Sequence, residues 1–315
     1  MDINYLLWLQ NFRESTHNML TPFMQWLSGF SVSYLILLPA FLYWCRDKKG
    51  GVWTLASLYV SMALTTVIKL TACVSRPFVK DLRIDPAVKS LPKSYSFPSR
   101  HAAMATPMYL GPAVIFWHKH ISRTLSVLCV LLAILAGFSR NYLGVHTFVD
   151  VLGGVVLSIV CMCLVKKAGN YFDKYPEKEN QWLVLTALLC VLAFVYILYK
   201  PYPVEYINGK LAANPHKMFR DAFENIGALL AFCAARYIEK TWIRFEVPGF
   251  NAKGILYGIA GLIPLCLLIA FGEKALIHLL GPNWGRFTGI VCLVFYIIAL
   301  YPFVLKCFCN KKETA

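Results

Sequence analysis

Three short stretches of this sequence gather residue types that can handle phosphate. The first, "KLTACVSRP", closes an apolar segment with Lys69 and Arg76 seven residues apart. Seven residues are two turns of an α-helix, so the spacing predicts both cations on one helical face, about 10 Å apart along the axis. Pro77 disfavours helical geometry at the residue before it and ends that helix. The second stretch, Pro98-Ser99-Arg100-His101, stands where another apolar segment begins. Ser99 is a good N-cap, and the free N–H groups of a first helical turn form an anion site. The third, "SRNYLGVHTFVD", places Arg140 six residues before His146 and Asp150 four after it. A helical i, i+4 pair would bring the carboxylate beside the imidazole, where it can orient the ring and favour one tautomer.

Each stretch alone has an ordinary explanation. Lys69 and Arg76 can be interfacial cations whose stems lie in lipid, Ser99 a simple cap, and His146–Asp150 a satisfied structural pair. Together they suit a phosphate dianion better. Three cations neutralise charge, two helix N-termini donate hydrogen bonds, and two histidines supply a nucleophile and an acid. Carboxylates able to hold Mg²⁺ are scarce around these residues, so no metal and no cofactor are expected. Arg100 has two possible placements. It can turn outward to the interface, or curl over the site, where the retained phosphate of a diphosphate would give it a partner.

These residues must be positioned by membrane helices. Of the 315 residues 58% are hydrophobic and 15% charged, which excludes an ordinary soluble domain. Apolar runs predict spans near Ser33–Trp44 with its flanks, Trp53–Ala72, Ala102–Trp117, Thr124–Phe138 and Val149–Val165. Four more are predicted at Trp182–Tyr199, Phe223–Ile238 (the weakest), Ile255–Phe271 and Phe287–Leu305. Ahead of them Met1–Ser28 reads as an amphipathic helix at the interface, since Arg13, Glu14 and His17 interrupt any signal-peptide pattern. The expected fold is therefore an all-α, polytopic transmembrane bundle with an N-terminal interfacial helix and additional C-terminal transmembrane helices. Residues 1–170 form one unit and 171–315 a C-terminal helical extension.

The net charge of +15 does not point to nucleic acid, because the basic residues sit in short loops between apolar runs. Membrane lipids are the expected partners. One set of loops (Arg46–Lys49, Lys119–Arg123, Lys166–Lys174) is short and basic and reads as cytoplasmic. Cys73–His101 and Ser139–Asp150 then fall on the opposite face. Arg76, Lys80, Arg83, Lys89, Lys93 and Arg100 make that face basic too, a conflict that disappears if these cations serve a ligand. Most of the 11 cysteines lie in apolar runs and behave as small hydrophobes.

The order Lys-x6-Arg-Pro, Pro-Ser-x-His, Ser-Arg-x5-His-x3-Asp resembles the type 2 phosphatidic acid phosphatase superfamily, over roughly residues 1–170. The family commonly has glycine where this chain has Arg100. The resemblance implies a membrane acid phosphatase working through a phosphohistidine. In it His146 would be the nucleophile, Asp150 its orienting group, and His101 the acid that protonates the leaving alkoxide. It also implies that Lys69, Arg76, Ser99, Arg140 and the Arg100 backbone amide hold the phosphoryl oxygens. The substrate would be a lipid phosphate or diphosphate on the non-cytoplasmic face, with undecaprenyl diphosphate the first expectation. Phosphatidate, phosphatidylglycerol phosphate, lipid-to-lipid phosphotransfer and a sugar phosphate of the glucose 6-phosphate kind follow. A non-catalytic transporter or scaffold is the rival from another class. The absence of any Asn-x-Ser/Thr site points to a bacterial cell membrane.

Overall fold

The computed structural model describes residues 2–310, apart from 205, 208, 209 and 212. The chain opens with α1 (Asp2–Ser15), α2 (Thr21–Ser33), α3 (Leu37–Cys45), α4 (Lys48–Ala72) and the short α5 (Pro77–Lys80). Then come α6 (Arg100–His118), α7 (Arg123–Tyr142), α8 (Phe148–Lys174) and α9 (Pro176–Tyr199). A two-residue antiparallel ladder, β1 (Tyr206–Ile207) with β2 (Lys210–Leu211), precedes α10 (Pro215–Ile238). The chain ends in α11 (Ala252–Leu267), α12 (Glu273–Phe295) and α13 (Tyr301–Asn310), linked by π-helical turns. The expected all-helical, polytopic architecture is what forms.

Among the described residues five helical stretches are long and apolar enough to cross a membrane, and the pair α2–α3, bent by 42°, makes a sixth. The nine predicted spans differ from this in three places. The Ser33–Trp44 span is the second limb of that bent pair. The helices at Ala102–Trp117 and Phe223–Ile238 form, but neither is apolar enough to be among the six. Both are packed among other helices, and a helix wrapped by protein needs no uniformly apolar surface. The last two predicted spans lie in one helical stretch, Ala252–Phe308, which doubles back at Gly281 (φ 79°). A Cβ on Gly285 would come within 2.4 Å of Ile277 Cα, and the Tyr296 hydroxyl donates to Gly261 O at 2.9 Å, so the two limbs run side by side.

The N-terminal segment is also divided. Left-handed backbone at His17 and Asn18 separates α1 from α2, so Met1–Ser28 is not one helix. α1 presents Trp8 and Phe12 outward and buries Arg13, whose Nη2 donates to Asp85 O at 2.7 Å. α1 thus clamps the loop around Asp85. α9, by contrast, keeps a broad apolar belt (Leu188, Leu189, Leu192) exposed, as a lipid-facing helix should.

The basic segments expected on one face are gathered at one end. Asp47 lies 3.8 Å from Lys119, Lys49 2.8 Å from Asp173, and Lys48 2.6 Å from Glu239. Glu239 is fully buried and also takes Arg236 at 2.5 Å. This buried network ties α10 to α4. One continuous apolar core joins Tyr59 and Met62 of α4, Met108 of α6, Phe232 of α10 and Ile297 beyond α12. The three stretches expected to hold phosphate lie at the opposite end, where α4 ends and α6 and α8 begin.

Candidate active site

Lys69 and Arg76 are not on one helix. α4 stops at Ala72, capped by Cys73 in the left-handed region (φ 48°), and Arg76 is the extended residue (φ −66°, ψ 151°) before Pro77. Pro77 acts as predicted, but the chain has already turned, so the two cations approach from separate elements. Lys69 Nζ donates to Tyr95 O (3.0 Å) and Ser96 O (2.8 Å), fixing the loop that leads to Ser99. Arg76 Nε and Nη2 hold Ser94 O and Oγ at 2.8 and 3.1 Å. Its Nη1 donates to Val145 O and to His146 Nε2, each at 2.9 Å.

That last contact fixes the imidazole. A guanidinium only donates, so Nε2 must carry the lone pair and the ring proton belongs to Nδ1. Nδ1 lies 3.4 Å from Ser96 Oγ and 3.6 Å from Asp150 Oδ2. Asp150 Oδ2 in turn accepts from Ser96 Oγ (2.5 Å) and from the Thr147 amide (2.8 Å). His146 sits just ahead of α8 and is not helical, so the carboxylate reaches it by another route. Thr147 is the N-cap and Asp150 the N3 residue of a capping box, which folds the carboxylate back toward the preceding residue. Asn141 Nδ2 donates to His146 O at 2.9 Å and holds the same turn. The capping box was readable from Thr147-x-x-Asp150; Ser96 carries no local signal.

Ser99 caps α6, its Oγ 3.5 Å from the Ala102 amide, and its own amide donates to Asp150 O at 2.8 Å. The start of α6 is thereby docked on the first turn of α8. That contact needs glycine: a Cβ on Gly154 would stand 2.5 Å from Ser99 O, and one on Gly153 2.4 Å from the Phe97 ring. His101 follows in the first turn of α6, where burial first, then the charges of Arg140 and Arg100, push its imidazole well below the ordinary 6.5. Arg140 Nη1 donates to Ser28 Oγ at 2.5 Å, while its buried Nε has no hydrogen-bond partner among the described residues. Arg100 takes neither of its two expected places. Its Nη1 faces Asp221 (3.7 Å) and Glu224 (4.0 Å) of α10, too far for hydrogen bonds, and is buried without one among the described residues.

His146 (1% exposed) and Asp150 (3%) lie beneath this ring of cations. Burial first, then the charges of Arg76, Lys69 and Arg140, push the His146 imidazole well below its ordinary value of 6.5. Both causes disfavour imidazolium, so the ring is neutral at neutral pH with a free lone pair on Nε2. If neutral His146 is needed for turnover, activity is lost only as pH falls through this depressed value. The acid limb of kcat/KM, corrected for the second ionisation of the substrate phosphate, is expected below pH 6.5. An acid limb above that value would contradict the placement of the three cations around a reacting imidazole.

Residues 50–174 match the family model described as the PAP2 superfamily, the type 2 phosphatidic acid phosphatases. They form a PAP2 domain. All of the site residues expected from the sequence lie inside the match. Phosphatidylglycerophosphatase B of Bacillus subtilis (strain 168) is 28% identical over 157 residues, 48% of this chain and 73% of the relative. Sphingosine-1-phosphate phosphatase 2 of Homo sapiens is 28% identical over 184 residues, and that of Mus musculus 26% over 185. Each covers 56% of this chain but only 43% and 48% of the mammalian protein, so the chain spans less than half of those relatives. No solved structure matches the chain. By class the PAP2 domain is a phosphatase, a phosphoric monoester hydrolase, here in a multi-pass helical membrane protein.

Proposed function

We propose that the PAP2 domain hydrolyses a lipid phosphate through a phosphohistidine intermediate, on the membrane face opposite the basic loops. His146 Nε2 attacks phosphorus, and a phosphoryl oxygen takes over the Arg76 Nη1–H that now bonds Nε2. Asp150 and Ser96 stabilise the positive charge that develops on the ring. The P–O bond to the lipid breaks, and His101, whose charged form the bound phosphate dianion stabilises against burial and the nearby arginines, gives its proton to the leaving alkoxide. His101 then takes a proton from water, whose oxygen attacks phosphorus, releasing phosphate and restoring His146. Arg140, the amides at the start of α6 and the Lys69-supported loop surround the phosphoryl oxygens.

The observation that carries this reading is the orientation of His146. Its unprotonated nitrogen faces a guanidinium and its protonated one faces a carboxylate. A structural His–Asp pair would not need three buried cations around it. A monoester is favoured by the names of the bacterial and mammalian relatives. A diphosphate such as undecaprenyl diphosphate is the second reading, favoured by the Arg100 Nη1 that lacks a hydrogen bond.

The test is phosphate release by the full chain in sealed vesicles of known orientation. Phosphatidate, phosphatidylglycerol phosphate, a sphingoid-base phosphate, a polyprenyl diphosphate and glucose 6-phosphate are offered with and without EDTA. Lipid monophosphates are expected to be hydrolysed, unaffected by EDTA. Impermeant glucose 6-phosphate serves as the soluble control. Turnover of glucose 6-phosphate alone would remove the lipid reading, and lipid turnover only from the face bearing Lys49 and Lys119 would reverse the orientation.

A further inference from the structure

Between the PAP2 helices and the C-terminal hairpin lies a cavity of about 350 Å³, within the range of roughly 300–1000 Å³ of small-ligand pockets. Its walls include Leu58 and Met62 of α4, Met104 and Met108 of α6, and Ile290 and Leu293 of α12. Its charged rim includes Glu224, Glu273, Lys274 and Arg286. The broken joint between α2 and α3 borders it with Val32, Ser33 and Tyr34, of which Ser33 and Tyr34 are exposed.

The cavity adjoins the phosphate-handling cluster through a single helix. Arg100, Met104 and Met108 are spaced i, i+4, i+8, so they form one stripe along α6. His101 is the next residue round that helix and faces the catalytic groups. Arg100 therefore stands between the cluster and the apolar space, and Glu224 on the rim is one of the carboxylates it faces. Arg286 Nη1 holds the same Glu224 at 3.2 Å, and its Nε is paired with Glu273 at 3.5 Å. Arginine and carboxylate side chains thus meet where the apolar wall joins the charged rim.

We infer that this cavity receives the hydrocarbon chain of the substrate, while Arg100 and Arg286 face the polar part of the lipid next to the scissile phosphate. This rests on the lipid-phosphate reading above and gives the C-terminal helices a role in choosing substrate. A chain, rather than a second headgroup, fits walls of leucine, isoleucine and methionine. Three thioether side chains (Met62, Met104, Met108) can adjust to chains of different shape. The bend between α2 and α3 is where such a chain enters from the bilayer.

The test fills the cavity from two sides without touching the phosphate-handling residues. Ile290→Trp acts from α12 and Val32→Trp from α2, each in the full chain. Long-chain phosphatidate and p-nitrophenyl phosphate, which has no chain, are compared on each protein. KM for phosphatidate is expected to rise by about tenfold or more in both variants, with kcat/KM for p-nitrophenyl phosphate kept within about twofold. The second substrate also reports that the variants are folded. Unchanged phosphatidate kinetics in both variants, or equal losses on the two substrates in both, would overturn the inference. If the unmodified protein hydrolyses p-nitrophenyl phosphate but no lipid, the lipid-phosphate reading fails and the cavity assignment with it.

Discussion

His146→Ala is expected to abolish turnover on every substrate, by about 10⁴-fold or more, because it removes the group proposed to form the covalent bond. Nothing nearby can replace it. His101 lies in the first turn of α6, on the leaving-group side of the proposed reaction, and Arg76 and Lys69 have no lone pair when charged. Removing the ring also leaves Arg76 Nη1 with only Val145 O as its partner, so phosphate binding should survive or tighten. Inorganic phosphate or vanadate binding to the purified variant checks this separately from turnover. His101→Ala makes the contrasting case. If it protonates the leaving group, its loss should cost on the order of 10²- to 10⁴-fold on an alkyl phosphate and much less on p-nitrophenyl phosphate. Equal losses on both would reduce His101 to a phosphate contact. Full activity of the His146 variant, or failure to trap labelled phosphate on the unmodified protein after acid-free quenching, would remove the phosphohistidine.

The second large effect is expected from a residue that touches no substrate. Gly154→Ala adds one methyl group, yet its Cβ would stand 2.5 Å from Ser99 O and 3.3 Å from the Ala103 amide nitrogen. These are backbone atoms of the first turn of α6, so no side chain can swing away. The start of α6 must then move off α8, carrying Ser99, Arg100 and His101 away from His146 and lengthening the 2.8 Å bond from Ser99 N to Asp150 O. A displacement of about 1 Å between reacting groups can cost on the order of 10²-fold in rate, and this is the expected fall in kcat. Gly169, on the same helix with nothing within 4 Å of its would-be Cβ, is the control. Gly169→Ala should leave kcat unchanged and stabilise the helix slightly, by up to about 1 kcal/mol. Equal kinetics for the two variants would mean that the α6–α8 contact does not set the site.

The sequence alone was enough for most of the helical layout, because long apolar runs leave few alternatives in lipid. It also determined which residues would gather. Lys69, Arg76, Ser99, Arg100, His101, Arg140, His146 and Asp150 lie at one end of the bundle because each stands at or near a helix terminus, and the alternation of spans brings those termini to one face. Local rules were enough for Ser99 as a cap and for Pro77 holding Arg76 extended. They failed where the contact is between elements distant in sequence. Ser96 reaches Asp150 across 54 positions, and Arg76 reaches His146 across 70, because a loop pinned by Lys69, Arg76 and Arg13 folds over the helix ends. No periodicity records such a loop. The same holds for Arg100, whose partners Asp221 and Glu224 come from a helix that begins more than a hundred residues later. Its side chain was open to either of two placements by its own neighbourhood. Only the packing of α10 against α4, which buries Asn225 on Thr66 at 2.8 Å, brought those carboxylates within reach. A buried charge settles where its opposite is supplied, and that supply is a property of the tertiary structure.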